Sequence, residues 1–298
     1  MNERVGYIGL GLMGRPIALH LLQAGYPLAV YARNESAVTP LVEAGATVCS
    51  SPQALAAECE IIFINVSDSP DVEAVVLGEQ GVIHGARAGA VVVDMSTISP
   101  TVTRSIAQQL SSKGVEMLDA PVSGGTAGAE AASLSIMVGG KAEVFARIKP
   151  LFEVVGKNIT HVGRSGAGQV AKGCNQLIAA QTLAAISEAF VLAKASGVDP
   201  SKIREALLGG FAGSRMLEVH GQRMLDHDFE PGFKTGLHQK DLRIVREAAA
   251  EAEVTLPGTE LVSGQIDALV EGGLGELDSA ALVTVLEQLN GVMLHKTS

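Results

Sequence analysis

Among the ionisable residues of this chain, Lys172 is set apart by its neighbours. It lies between Ala171 and Gly173 at the start of a segment, from about Gln169 to Ala195, that is apolar on nearly every helical face (Val170, Leu177, Ile178, Leu183, Ile186, Phe190, Leu192). A lysine there loses solvent and meets the positive end of the helix dipole. Both disfavour the ammonium form and suit the group to giving and taking protons near neutral pH. A solvated surface lysine is the ordinary alternative, and the apolar surroundings argue against it. Asn175, three residues on, shares the helix face and can bond an oxygen held beside the amine. A second chemical feature is Ser123-Gly124-Gly125, within Asp119–Ala129, a segment read as a loop with no helix-compatible run. Successive backbone N–H groups around two glycines, beside a hydroxyl, can form a nest for a carboxylate; a plain glycine loop is the other reading. Lys240, in Leu237-His238-Gln239-Lys240-Asp241-Leu242, is either a further charge for a site or a solvated helix start.

These side chains need a scaffold, and the N-terminal turn supplies its signature. A short β-forming run ends at Gly9, and Gly9-Leu10-Gly11-Leu12-Met13-Gly14 has the G-x-G-x-x-G spacing, followed by a helical pattern through Ile17, Leu21 and Leu22. The first glycine permits a tight strand-to-helix turn, the second lets backbone approach a pyrophosphate, and the third lets helix and strand pack closely. The spacing therefore predicts a dinucleotide site. Pro27–Asn34 reads as the next strand, and about 20 residues past the glycines, where an NAD-selective site places an acid, stand Ala32, Arg33 and Asn34. An arginine fork suits a 2′-phosphate, so NADP(H) is expected to be favoured, with NAD(H) possible. The other reading of Arg33 is a solvated loop side chain.

Further strands are expected at Thr47-Val48, Ile61–Val66, Val91–Asp94, Glu116–Ala120, Ser133–Val138 and Ile159–Val162, with helices between them at Ser69–Leu77, Val102–Leu110 and Ala142–Phe152. This alternation predicts a doubly wound α/β sheet of Rossmann type. Its ligands belong at the C-terminal strand ends, which here include Val66-Ser67 and Thr97. Past Gly163-Arg164-Ser165-Gly166-Ala167-Gly168 the strand signal disappears. The chain is divided accordingly into a dinucleotide-binding domain at 1–163 and an all-helical domain for substrate and dimerisation at 164–298, joined through the long helix. A helix apolar all round must be buried between domains or subunits, so a homodimer or homotetramer is expected.

Composition excludes several classes. The chain has 298 residues, a net charge of −10, 3% aromatics and no tryptophan. That balance opposes a nucleic-acid partner, which needs basic patches or aromatic platforms. No apolar run of about 18 uninterrupted residues suggests a membrane partner. No secretory leader is read at the N-terminus, and Cys49, Cys59 and Cys174 are odd in number and widely spaced, so a reduced, cytoplasmic protein is expected. No Cys or His pair has zinc-site spacing, and no metal is assigned.

Taken together, the Gly9–Gly14 turn, the Asp119–Gly125 loop, the Gly163–Asn175 stretch and Lys240-Asp241-Leu242 resemble, in order and spacing, the β-hydroxyacid dehydrogenase family over essentially the whole chain. The resemblance implies an NAD(P)-dependent oxidoreductase acting on a small carboxylate substrate. It implies that Lys172 is catalytic, that Asn175 positions substrate, that Ser123, Gly124 and Gly125 bind the substrate carboxylate, and that Lys240 lies by the nicotinamide. Gly209–Ser214 and Pro231-Gly232-Phe233 resemble the C-terminal segments of members that reduce tartronate semialdehyde to glycerate. Members acting on 3-hydroxyisobutyrate, glyoxylate or succinic semialdehyde are near relatives. Ser67 departs from the proline of many relatives, and Ala32 from an acid found in some. A dinucleotide-binding regulator without catalysis is the rival from another class; the intact lysine and carboxylate loop speak against it.

Overall fold

The computed structural model describes residues 3–294. The chain divides into two compact units, Met1–Lys172 and Gly173–Ser298. The first turn of the long helix is hydrogen-bonded within the first unit, the Gln169 N–H donating to Asp119.

The sheet unit begins with β1 (Val5–Ile8), α1 (Gly14–Gln23), β2 (Leu28–Tyr31), α2 (Thr39–Glu43), β3 (Thr47–Val48), α3 (Pro52–Glu58), β4 (Ile61–Ile64), α4 (Ser69–Leu77), β5 (Val91–Asp94), α5 (Pro100–Ser111) and β6 (Glu116–Asp119). It closes with β7 (Val122–Ser123), α6 (Gly125–Glu130), β8 (Leu134–Gly139), α7 (Ala142–Val155) and β9 (Gly156–Gly163). The sheet has nine strands in the order β3-β2-β1-β4-β5-β6-β8-β7, with β9 paired to β8. From β3 through β6 every pair is parallel; β8 runs antiparallel to β6 and β7.

The apolar runs of β1, β4 and β5 are buried on both faces, as parallel strands require. Side chains alternate between two cores: Tyr7, Phe63 and Val93 face the side covered by Ile17 and Leu21 of α1 and Phe152 of α7. Ile8, Ile62, Ile64 and Val92 face the side covered by Leu55 of α3, Val76 of α4 and Ile106 of α5. Helices on the second face start at side-chain caps followed by proline. Ser51 accepts from the Ala54 N–H ahead of α3, and Ser99 accepts from Thr101 ahead of α5.

The expectation for Asp119–Ala129 is corrected here. It holds a short strand and a helical turn, β7 and α6, rather than an unstructured loop. Gly124 and Gly125 adopt φ of 136° and 62° to reverse the chain, after which the alanine-rich run closes into a turn.

The helical unit is built on α8 (Ala167–Ala195), which starts in the sheet unit, followed by α9 (Pro200–Leu208), α10 (Arg215–Asp226), α11 (Thr235–Glu251), α12 (Pro257–Glu271) and α13 (Leu282–Asn290). Long and apolar enough by composition to cross a membrane, α8 instead puts Ala180, Leu183 and Phe190 into a core with Leu217, Met224, Leu242, Val262 and Ile266. It is not buried all round in the single chain: Ile178 and Leu192 are exposed. Apart from an isolated bridge between Lys234 and Asp278, the described residues of this unit form no strand.

That bridge marks a buried anchor. Asp278 is fully buried; its carboxylate accepts from the N–H groups of Gly232, Phe233 and Ala280, each at 3.0 Å, and pairs with Arg223 at 2.9 Å and His220 at 3.3 Å. Burial alone would raise this carboxyl, but the His220 hydrogen bond and the N–H donors of Ala280 and Phe233 hold it at about 2. A folded-state value below that of the unfolded chain stabilises the fold above pH ~4, and the contribution is lost as pH falls toward the folded value. Urea unfolding across pH 5 to 2 should therefore show declining stability, and Asp278→Asn should remove about 2 kcal/mol of that slope.

Candidate active site

The first site follows from the glycines of the β1–α1 turn. Gly9 has φ 95°, and a Cβ there would lie 2.1 Å from the Asn65 carbonyl oxygen; at Gly14 it would lie 1.9 Å from the carbonyl oxygen of Gly9. Gly11 differs. A Cβ there meets nothing within 4 Å, and its φ is not among the left-handed ones. Two glycines thus serve the turn itself, and the middle one leaves open room for a ligand to approach the backbone. Exposed Leu12 and half-buried Met13 flank that opening, and Leu10 is packed beneath it. Met13 precedes α1 without a side-chain cap, and the first turn of α1 carries no acid. Its N–H groups are oriented for an anion, so the residues present fit a pyrophosphate.

The neighbouring strand ends complete this rim. Arg33, past β2, is 81% exposed and pairs with Asp71 at 3.5 Å. Asn34 is committed to its own turn, its Oδ1 accepting from the Ser36 N–H at 3.0 Å and hydroxyl at 2.8 Å. Past β4, the Val66 N–H donates to Ser96 Oγ at 2.9 Å, and Ser67 is exposed. Past β5, the Ser96 N–H donates to Asp94 Oδ1 at 3.0 Å, and Thr97 is half-buried.

Beside β6 lies the start of α8. Asp119 is fully buried, and its carboxylate accepts from the N–H groups of Gly166 at 2.8 Å and Gln169 at 3.1 Å. Burial pushes this carboxyl above its ordinary range, while these donors pull it back. Lys172 stands one turn beyond Gln169 and is only 6% exposed. Ser123, at the end of β7, and Gly125, at the start of α6, are half-buried around exposed Gly124. Sequence reasoning named Lys172 and the Ser123 loop but missed Asp119 and Gln169. Their partners are backbone atoms of distant segments, which no local spacing reports.

In the helical unit, Asn175 Nδ2 donates to Gln176 Oε1 at 2.8 Å, and Gln176 Nε2 donates to Asp241 Oδ2 at 2.6 Å. Asp241 Oδ1 pairs with the Lys240 ammonium at 2.9 Å. The structure thus links Asn175 and Lys240, chosen separately from sequence, through Gln176 and the buried Asp241.

Residues 4–163 match a family model described as the NAD binding domain of 6-phosphogluconate dehydrogenase. Residues 166–286 match one described as NAD-binding of NADP-dependent 3-hydroxyisobutyrate dehydrogenase. The chain is 46% identical to 2-hydroxy-3-oxopropionate reductase of Escherichia coli (strain K12) over 284 residues, covering 95% of this chain and 97% of that protein. It is 39% identical to 2-(hydroxymethyl)glutarate dehydrogenase of Eubacterium barkeri over 290 residues, 97% and 96% of the two chains. The solved structure of Mycobacterium tuberculosis 3-hydroxyisobutyrate dehydrogenase with L-serine superposes with a TM-score of 0.87 at 32% identity, covering 96% of this chain and 99% of that one.

The glycine geometry separates two effects. Gly14→Ala should lower the thermal midpoint of the unliganded protein, since its Cβ collides with backbone. Gly11→Ala should leave that midpoint within about 2 °C while weakening dinucleotide binding by roughly tenfold or more. Calorimetry of unfolding and of cofactor titration reads both.

Proposed function

Because this chain belongs to the β-hydroxyacid dehydrogenase family, we propose that it reduces a short semialdehyde acid to its β-hydroxy acid, with tartronate semialdehyde and glycerate as the physiological pair. The observation that carries this reading is the lysine buried one turn into α8, in the same unit as the glycine turn and the Ser123 loop. The 46% identity to 2-hydroxy-3-oxopropionate reductase supports the choice of substrate. The bound nicotinamide dinucleotide supplies the hydride.

The protein's own residues do the rest. Ser123 and the N–H groups of Gly124 and Gly125 hold the substrate carboxylate, which fixes the aldehyde carbon two bonds away at reacting distance. The Lys172 ammonium donates its proton to the oxygen as alkoxide charge develops there; in oxidation, the neutral amine takes the hydroxyl proton. Asn175, its side chain oriented by Gln176, bonds the substrate oxygen. Lys240, held by Asp241, places positive charge toward the nicotinamide. Gly9 through Gly14, Val66, Ser67 and Thr97 line the dinucleotide, and Arg33 and Asn34 meet its adenosine ribose. The protein works in the cytoplasm as a homodimer or homotetramer, an assembly that would cover the exposed Ile178 and Leu192.

Lys172→Ala should lower kcat by ~10²–10⁴, the usual contribution of a general acid–base, with cofactor affinity unchanged by titration. Turnover of tartronate semialdehyde within a few-fold of wild type would overturn the assignment. A panel including 3-hydroxyisobutyrate and L-serine tests the substrate itself.

For the cofactor, the exposed Arg33–Asp71 pair is worth at most ~1 kcal/mol. A charge-assisted bond to a 2′-phosphate is worth about 1.5–3 kcal/mol, so the phosphate wins the guanidinium. NADPH should be favoured over NADH by roughly tenfold in kcat/KM. Ala32→Asp with Arg33→Ala should reverse the order, and a wild-type preference for NADH would refute it.

A further inference from the structure

Gln169 is the one residue of the α8 first turn whose side chain is spent entirely on another segment. It is 2% exposed; its Oε1 accepts from the Ile98 N–H at 3.1 Å, and its Nε2 donates to the Ser96 carbonyl at 2.8 Å. Those two backbone groups bracket Thr97. The amide pairs with the peptide on both sides of that residue, much as a neighbouring strand would. The backbone N–H of Gln169 donates at the same time to Asp119 Oδ2 at 3.1 Å. One residue is thus bonded to the end of β6 by its main chain and to the loop after β5 by its side chain. Lys172 follows three residues later on the same face of the helix.

The geometry points to Gln169 as a positioning residue that sets the distance between the Thr97 loop and Lys172. The inference rests on the roles proposed above for those two residues. Only a side chain carrying one donor and one acceptor at the same end can bracket Thr97 in this way. Glutamate keeps the bond from Ile98 but sets a carboxylate oxygen against the Ser96 carbonyl. Methionine fills similar space and makes neither bond. The loop side of the clamp is itself held, because Ser96 Oγ accepts from the Val66 N–H at 2.9 Å and the Ser96 N–H donates to Asp94 Oδ1 at 3.0 Å. A shift of Gln169 is therefore felt by the Val66 and Thr97 loops together. The glycine turn of β1 makes none of these bonds.

The test is a double-mutant cycle on the full-length enzyme, with rates expressed per folded chain. In the wild-type background Gln169→Met should lower kcat, read at saturating cofactor, by roughly 10–100-fold, the scale of misplacing a reacting group by about an ångström. In the Lys172→Ala background the same replacement should change residual turnover by less than about twofold, because the lysine it positions is gone. Gln169→Glu, which keeps the bond from Ile98 but opposes an oxygen to the Ser96 carbonyl, should likewise lower kcat in the wild-type background and not in the Lys172→Ala background, and serves as an independent second variant. An equal loss in both backgrounds would show a purely structural role and overturn the inference, as would an unchanged kcat in either Gln169 variant. Full turnover by Lys172→Ala alone would instead sink the catalytic reading, and the clamp with it.

Discussion

The arrangement of the sheet unit's site depends on one buried charge, the Asp119 carboxylate at the start of α8. Removing a carboxylate from water is costly unless its oxygens are satisfied, and a buried helix start leaves N–H groups without partners. Each problem answers the other: Gly166 and Gln169 donate to the two oxygens, and the charge sits at the positive end of the helix. The exchange requires close approach. A Cβ at Gly139 would lie 2.6 Å from Asp119 Oδ1, and one at Gly168 would lie 2.9 Å from Oδ2. Gly139 is thus glycine chiefly for the sake of that side chain, whereas a Cβ at Gly168 would meet the backbone carbonyl oxygens of Met137 at 2.4 Å and Asp119 at 2.7 Å before it met the carboxylate.

Most of the fold was legible because its signals are local. The glycine spacing flanked by a strand and a helix and the uniformly apolar runs of β4 and β5 carry their cause within a few residues, whereas the Ser-Pro starts of α3 and α5 were not read as helix starts. Arg33 was read from its distance past the glycines and does stand at the end of β2. What the sequence hid was either small or distant. The helical turn α6 is screened by Gly124, Gly125 and Gly128, which read as loop. The strand β9 extends back to Gly156 through Lys157 and Asn158, exposed polar residues on a strand paired only to β8. Gln169 gave no sign because its partners lie 71 and 73 residues away and are backbone atoms, identical in every residue type.

The helical unit repeats this logic with side chains instead of backbone. Asn175, Gln176, Asp241 and Lys240 form one chain of bonds that converges on the Asp241 carboxylate, which accepts from Gln176 on one oxygen and pairs with Lys240 on the other. Lys172 and Asn175 share one helix but belong to the two different units.

The unequal crowding of the three glycines has a bearing on descent. Gly9 and Gly14 are locked by the backbone around them, so any protein that keeps this turn must keep them, whatever it has become. Gly11 has no such protection. Nothing in the unliganded chain opposes a side chain there, and a glycine gives up backbone entropy on folding that alanine would not. A lineage that retained the fold as a scaffold while losing its ligand would drift at that position first. The glycine still found at residue 11 is thus a mark left by a ligand rather than by the fold.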